Sequence, residues 1–152
     1  LMDELRLATA ELHRATERCP FHVDLARGRA SRAAYAGYLG QLYWLHETLE
    51  AGLRSFAHRR PAIAAILAHT EFHSHRLRRD LLAVGAEPTA PLLVTDAFCR
   101  RLAAAIDADD VGLLGVHYVF EGSKNGGKFL AKVAGAGFGL PAGVGVSYLD
   151  PY

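Results

Sequence analysis

The sequence lacks most of the features that place a protein in a specialised class. It has only two cysteines, Cys19 and Cys99, which match neither a zinc-binding spacing nor a CxxCH motif, so a reducing, cytoplasmic setting is expected. No apolar run approaches the roughly 20 residues of a membrane span, and no signal peptide is visible. The formal net charge of +1 gives no bulk attraction to nucleic acid. We therefore expect neither a membrane nor a nucleic acid as partner.

The common motifs of nucleotide binding and nucleophilic catalysis are also missing, since the chain has no P-loop, no GxGxxG and no Ser-His-Asp pattern. Its 152 residues are 51% hydrophobic and 22% charged, which is typical of a folded domain with its own core. Neither a repeat nor a linker interrupts the chain, so we expect residues 1–152 to form one domain.

Apolar residues recur at helical spacing along nearly the whole chain, and no strand pattern appears before the last dozen residues. Proline, glycine and capping residues divide the pattern into segments. The predicted segments are a first helix ending at Pro20, a long helix over about 32–56 capped by Ser31, a stretch from Pro61 to Gly85, and a helix over 91–106. Asp109 or Asp110 is the expected cap of the next helix. The pattern predicts an all-α helical bundle.

Glycine is concentrated late in the chain, with ten of the 15 glycines between Gly112 and Gly145. The segment HYVFEGSKNGGKFLAKVAG otherwise looks helical, although each glycine inside a helix costs about 1 kcal/mol relative to alanine. Gly122, Gly126 and Gly127 lie at i, i+4 and i+5, on one side of that helix. Two interpretations stay open: the glycines let backbone approach a flat ligand, or they mark a loose helix end or a close helix crossing.

Histidine–carboxylate spacing offers the other candidate site. Glu17 follows His13 by four residues, so it can accept a hydrogen bond from one ring nitrogen and leave the other to bind a metal; the alternative is an ordinary surface pair. His46 and Glu50 repeat the spacing, where we expect a hydrogen bond at the core edge. His69 and His73 also stand four apart, and a solvated polar face explains them best.

In order along the chain, these segments resemble the biliverdin-producing haem oxygenases. LRLATAELHRATE is similar to the family's first helix, YAGYLGQLYWLHETLE to its long helix, and YVFEGSKNGG to the helix on the distal side of the haem. The EGSxxGG form is that of the bacterial branch associated with phytochrome chromophore supply. The resemblance implies a haem-oxygenase-like all-α bundle that lacks the family's usual C-terminal helices, as in a C-terminally truncated chain.

The resemblance also implies roles for particular residues. His13 matches the axial ligand of the haem iron, and Glu17 matches the carboxylate that bonds its ring. Further haem-binding positions are Arg6, which matches a propionate-pairing residue, His117, which stands where the family has a tyrosine, and Lys124. The positions implied over the distal face of the haem are Gly122, Ser123, Gly126 and Gly127, with Ser123 in place of the aspartate that organises water in the animal-type enzymes.

The implied reaction is the cleavage of haem, as substrate and cofactor, by O2 to biliverdin, carbon monoxide and ferrous iron. Electrons are expected from a separate ferredoxin or NAD(P)H-dependent reductase, because the chain has no flavin or nicotinamide motif, and a phytochrome is an expected acceptor of biliverdin. Two alternatives remain. One is a haem-binding or haem-trafficking protein of the same fold, which Ser123 and the short C-terminus favour. The other is a non-haem di-metal oxygenase using His69, Glu71 and His73.

Overall fold

The computed structural model describes residues 2–151, without the side chains of residues 2, 3, 5, 6, 123 and 125. Within this range the regular structure is entirely helical, which confirms the predicted class. The α-helices in chain order are α1 (Met2–Glu17), α2 (Pro20–Ala26), α3 (Arg32–Arg59), α4 (Pro61–Leu67), α5 (Ser74–Ala83), α6 (Leu93–Asp107), α7 (Gly112–Gly122) and α8 (Gly127–Phe138). A 3-10 turn, Ser123–Gly126, joins α7 to α8.

Helix α3 is the central element of the bundle, and it contacts α4, α5, α6 and α7. It begins as the sequence predicted: the Ser31 side chain accepts a hydrogen bond from the backbone N–H of Ala34 at 3.1 Å. It ends before Pro61, which opens α4. Gly52 allows the closest crossing, because a Cβ there would lie 2.5 Å from the Ile106 side chain of α6. The prediction of a long central helix is confirmed.

The predicted stretch from Pro61 to Gly85 is wrong as one element, because it forms two helices separated by residues 68–73. The physical reason lies on α3. The Glu50 carboxylate accepts hydrogen bonds from the backbone N–H groups of His73 and Ser74, at 2.7 and 3.0 Å. The first N–H groups of a helix have no partner within that helix, and here a side chain of α3 accepts their hydrogen bonds. A new helix, α5, therefore starts at this point instead of continuing α4.

The apolar core has two parts on either side of the middle of α3. One part joins α2, α3, α5, α8 and the C-terminal residues, and its fully buried members are Leu25, Tyr35, Leu39, Leu77 and Leu81. The other part joins α3, α4, α6 and α7 around Leu49, Leu53, Phe56, Leu102 and Leu113. Between the two parts lies a set of buried polar side chains, described below.

Residues 139–151 form a C-terminal segment that is buried between Gly145 and Leu149 although it has no helix or strand. Tyr35 donates a hydrogen bond to the Gly145 carbonyl at 3.0 Å. The buried Asp80 carboxylate accepts hydrogen bonds from the Ser147 hydroxyl at 2.8 Å and the Tyr148 N–H at 2.7 Å. The segment then passes so close to α8 that a Cβ on Gly127 would overlap the Leu149 carbonyl.

We expect Gly127→Ala to destabilise the fold by about 2 kcal/mol, since overpacking of a close contact costs about 1–3 kcal/mol. Urea unfolding followed by circular dichroism measures the loss. Gly126→Ala is the matched control, because its Cβ would meet nothing within 4 Å, and its stability should change by less than about 1 kcal/mol. Equal stability of the two variants would show that the contact with Leu149 does not constrain α8.

Candidate functional site

The segment from α7 through the 3-10 turn to α8, here called the distal segment, has one open and apolar face. Tyr118 and Val119 are each 66% exposed, and Phe129 is similarly exposed. A Cβ added at Gly122 or Gly126 would meet nothing within 4 Å. The backbone at these two glycines is therefore accessible to a flat ligand, as the first interpretation of the glycines requires.

Helix α1 carries the predicted histidine–carboxylate pair. The Nε2 atom of His13 lies 3.2 Å from Oε1 of Glu17, and the His13 side chain is 76% exposed. In this conformation Nε2 faces the carboxylate, so Nδ1 is the ring nitrogen left for a ligand. Leu7 and Leu12 on the same helix are also largely exposed, which leaves apolar area that a ligand could cover.

Three further predicted positions have different outcomes. The side chains of Arg6 and Ser123 lie outside the described residues. His117 on α7 is partly buried, and burial, reinforced by the charge of Lys124 and opposed by that of Glu121, lowers the pKa of its imidazole. His117 is therefore a neutral donor or acceptor near pH 7 rather than a cation.

Two predicted positions need correction. Gly127 does not share the open face of Gly122 and Gly126, because it is buried against the Leu149 backbone. Lys124 is not placed for a haem carboxylate, because its side chain is only 3% exposed and its Nζ lies 2.6 Å from Oε1 of Glu121. The physical reason is the 3-10 turn, whose residues advance by about 120° each instead of 100° and so leave the register of a continuous helix.

The structure reveals a feature that the sequence patterns did not: a group of buried polar residues, here called the inner polar cluster, beneath the distal segment. Its members are His46, Glu50, His73, Ser74, Glu121, Lys124 and Tyr148. The predicted bond between His46 and Glu50 is present at 3.2 Å, fully inside the protein rather than at the core edge. The other ring nitrogen of His46 lies 3.0 Å from the Tyr148 hydroxyl, which connects α3 to the C-terminal segment.

Hydrogen bonds control the charges in this cluster. Burial alone would raise the pKa of Glu50, but hydrogen bonds from His46, Ser74 and the His73 N–H outweigh it and lower the pKa to about 2. Burial lowers the pKa of His73 to about 4, with the charge of Lys124 acting in the same direction. Near neutral pH the cluster therefore contains an ionised Glu50 and a neutral His73. The Nδ1 atom of His73 is buried without a hydrogen-bond partner.

The described residues do not support the di-metal alternative. No group of three or more His, Cys, Asp or Glu side chains in this part of the chain could hold a metal ion. His73 bonds Glu121 through Nε2 at 3.2 Å, whereas Glu71 pairs with Arg76. His73 and Glu71 thus have separate partners, and His69 is exposed to solvent.

Comparisons with known proteins agree with the helical fold. A family model described as Heme oxygenase matches residues 1–151. A solved structure titled heme oxygenase from Leptospira interrogans superposes with a TM-score of 0.83 at 26% sequence identity, covering 96% of this chain and 73% of the other. No curated protein sequence matches significantly.

The family match and the helical fold identify a helical oxidoreductase that degrades haem. The chain belongs to the haem oxygenase family. Among the described residues, no helix is both long and apolar enough to cross a bilayer.

We expect acid to destabilise the protein through Glu50. Its pKa of about 2 in the folded state is lower than the ordinary value of 4.5, so the unfolded chain takes up a proton first as the pH falls. The resulting stability is present above pH 4.5 and is lost towards pH 2, by about 3 kcal/mol. Urea unfolding at a series of pH values measures this loss.

Glu50→Gln should be less stable than the parent at pH 7, and its stability should fall less steeply between pH 5 and pH 3, because the amide has nearly the shape of the carboxylate but has no charge and takes up no proton in this range. Glu87→Gln, on an exposed loop, is the control and should keep the parent's slope. If Glu50→Gln keeps that slope as well, the acid sensitivity arises elsewhere.

Proposed function

We propose that the protein cleaves haem with O2 and externally supplied electrons, and that the products are biliverdin, carbon monoxide and ferrous iron. The observation that supports this most strongly is the pair of exposed elements in one haem oxygenase chain. One is the His13–Glu17 pair on α1, and the other is the open glycine backbone of the distal segment. The first supplies an iron ligand and the second a surface for a flat macrocycle.

We propose that His13 binds the haem iron through one ring nitrogen while Glu17 accepts a hydrogen bond from the other. The carboxylate would fix the tautomer and the orientation of the ring, as partners of ligating histidines do. Both side chains are exposed, so the interaction is weakened by solvent and adds only moderate negative charge to the ligand. A moderately charged histidine suits oxidation of the ring better than a strongly electron-donating ligand would.

The distal segment would act through its shape. The iron of bound haem supplies the site for O2 and its reduction. Gly122 and Gly126 have no side chains on the open face, so their backbone can cover the macrocycle closely and direct the oxygen towards the ring edge. We propose that water, held by backbone carbonyls of this segment and helped by Ser123, delivers protons there. His117 and Arg6 would bind the haem carboxylates.

The electron donor is proposed to be a ferredoxin or an NAD(P)H-dependent reductase, and the protein is proposed to work in the cytoplasm. Both cysteines are free, which fits a reducing compartment. A phytochrome as acceptor of biliverdin stays a prediction from the sequence resemblance.

The function is tested by adding one equivalent of haem and then a reductant in air. Haem binding gives a Soret band, and turnover replaces it with bilin absorbance and carbon monoxide. A stable Soret band without either product would identify a haem carrier instead.

We expect His13→Ala to lose the native ferric spectrum and the iron–histidine stretch in resonance Raman, because the axial ligand is removed. Added imidazole should restore the spectrum. His58→Ala removes an exposed histidine at the end of α3 and should leave both signals unchanged. An unaltered iron–histidine stretch in His13→Ala would show that another residue binds the iron.

We expect Gly126→Leu to fold and to bind haem but to lose bilin formation by at least about tenfold, because the new side chain would occupy the open face. Gly37→Leu places the same side chain into open space on α3 and should turn over normally. Full turnover by Gly126→Leu with the same biliverdin isomer would contradict a closely covering distal segment.

A further inference from the structure

The distal segment has a charged side opposite its open side. Lys124 belongs to the 3-10 turn, yet its side chain enters the protein and is almost completely buried. Its ammonium lies 2.6 Å from the Glu121 carboxylate and 5.6 Å from the centre of the Tyr148 ring. The same Glu121 oxygen lies 3.2 Å from Nε2 of His73. The turn that exposes Gly122 and Gly126 therefore has an internal ion pair on its other side, and this pair contacts His73 and Tyr148.

Packing alone does not require an ammonium at this position. A buried ion pair costs desolvation free energy, and an apolar side chain of similar volume often gives equal or greater stability. What a buried charge does provide is a field that solvent screens only weakly. Lys124 lies between Gly122 and Gly126 in the chain, so its buried charge belongs to the same 3-10 turn as the open glycine backbone.

Charged and titratable groups face Lys124 from every neighbouring element. They are Glu50 on α3, Glu71 and His73 before α5, His117 and Glu121 on α7, and Tyr148 in the C-terminal segment, while His46 on α3 lies behind His73 and Tyr148. Glu50 is ionised near neutral pH, but its carboxylate already accepts four hydrogen bonds and lies 3.9 Å from the Arg54 guanidinium. The Lys124–Glu121 pair is thus the part of the cluster that belongs to the distal segment itself.

We propose that Lys124 is a positioning residue for haem degradation: held by Glu121, it fixes the break between α7 and α8 and places a positive charge behind the glycine backbone. This inference rests on the proposed function, since it assumes that haem lies against Gly122 and Gly126. The charge would favour an anionic oxygen ligand on the open face over a neutral one. It acts through the backbone and touches neither haem nor oxygen.

The test is a pH titration of the ferric haem complex, in which the optical spectrum reports conversion of the distal water ligand to hydroxide. Lys124→Met removes the positive charge and should raise the pH midpoint. Glu121→Gln removes the negative charge and should lower it. Each shift should be about 0.5–1 pH unit, as expected for one charge at an effective dielectric constant of about 20. Lys124→Arg keeps the charge and should stay near the parent midpoint.

Lys132→Met is the matched control, because it makes the same Lys→Met substitution at an exposed position of α8. Its midpoint should equal that of the parent. Hydrogen exchange of residues 123–126 without haem gives a second readout, which should be faster in Lys124→Met and unchanged in Lys132→Met.

Shifts of the same sign in Lys124→Met and Glu121→Gln, or no shift in either, would overturn the charge role. Unchanged exchange in residues 123–126 would overturn the positioning role. Failure of the proposed function is seen separately in the parent protein, as haem that binds without yielding bilin.

Discussion

The buried carboxylate of Glu50 is the interaction on which most of the architecture depends. It accepts hydrogen bonds from two backbone N–H groups and the Ser74 hydroxyl, and so begins α5 against the middle of α3. It also bonds His46, whose other nitrogen meets the Tyr148 hydroxyl of the C-terminal segment. An unpaired carboxylate at this depth would cost several kcal/mol, so removing any of these donors destabilises the folded state.

The C-terminal segment carries this constraint to the distal segment. Tyr148 is bonded to His46, and the adjacent Leu149 lies against Gly127 at the start of α8. The Lys124 ammonium, which belongs to the distal segment, also lies over the Tyr148 ring. The break between α7 and α8 is thus supported from within by polar contacts and a close backbone approach. This support allows its other side to stay open, since Gly122 and Gly126 need no packing partners there to keep their positions.

Local signals predicted the elements that depend on neighbouring residues alone. The Ser31 cap, the length of α3 and the His13–Glu17 pair all follow from spacings of three or four residues. The separation of α4 from α5 at residues 68–73 could not be predicted from local spacing, because its cause is the Glu50 carboxylate, 23 positions before His73. Gly127 was wrongly placed on the side of Gly122 and Gly126, because helical periodicity assumes 100° per residue, which the 3-10 turn does not keep.

The two exposed elements have a thermodynamic consequence. Leu12 on α1 is 70% exposed, and Tyr118 and Phe129 present comparable apolar area on the distal segment. Apolar area contributes about 25 cal/mol per Å² when it leaves water, so an apolar ligand that covers either surface stabilises the folded state. A ligand that binds only the folded state also raises the free energy of unfolding by mass action. If haem is that ligand, the substrate itself completes the packing of α1.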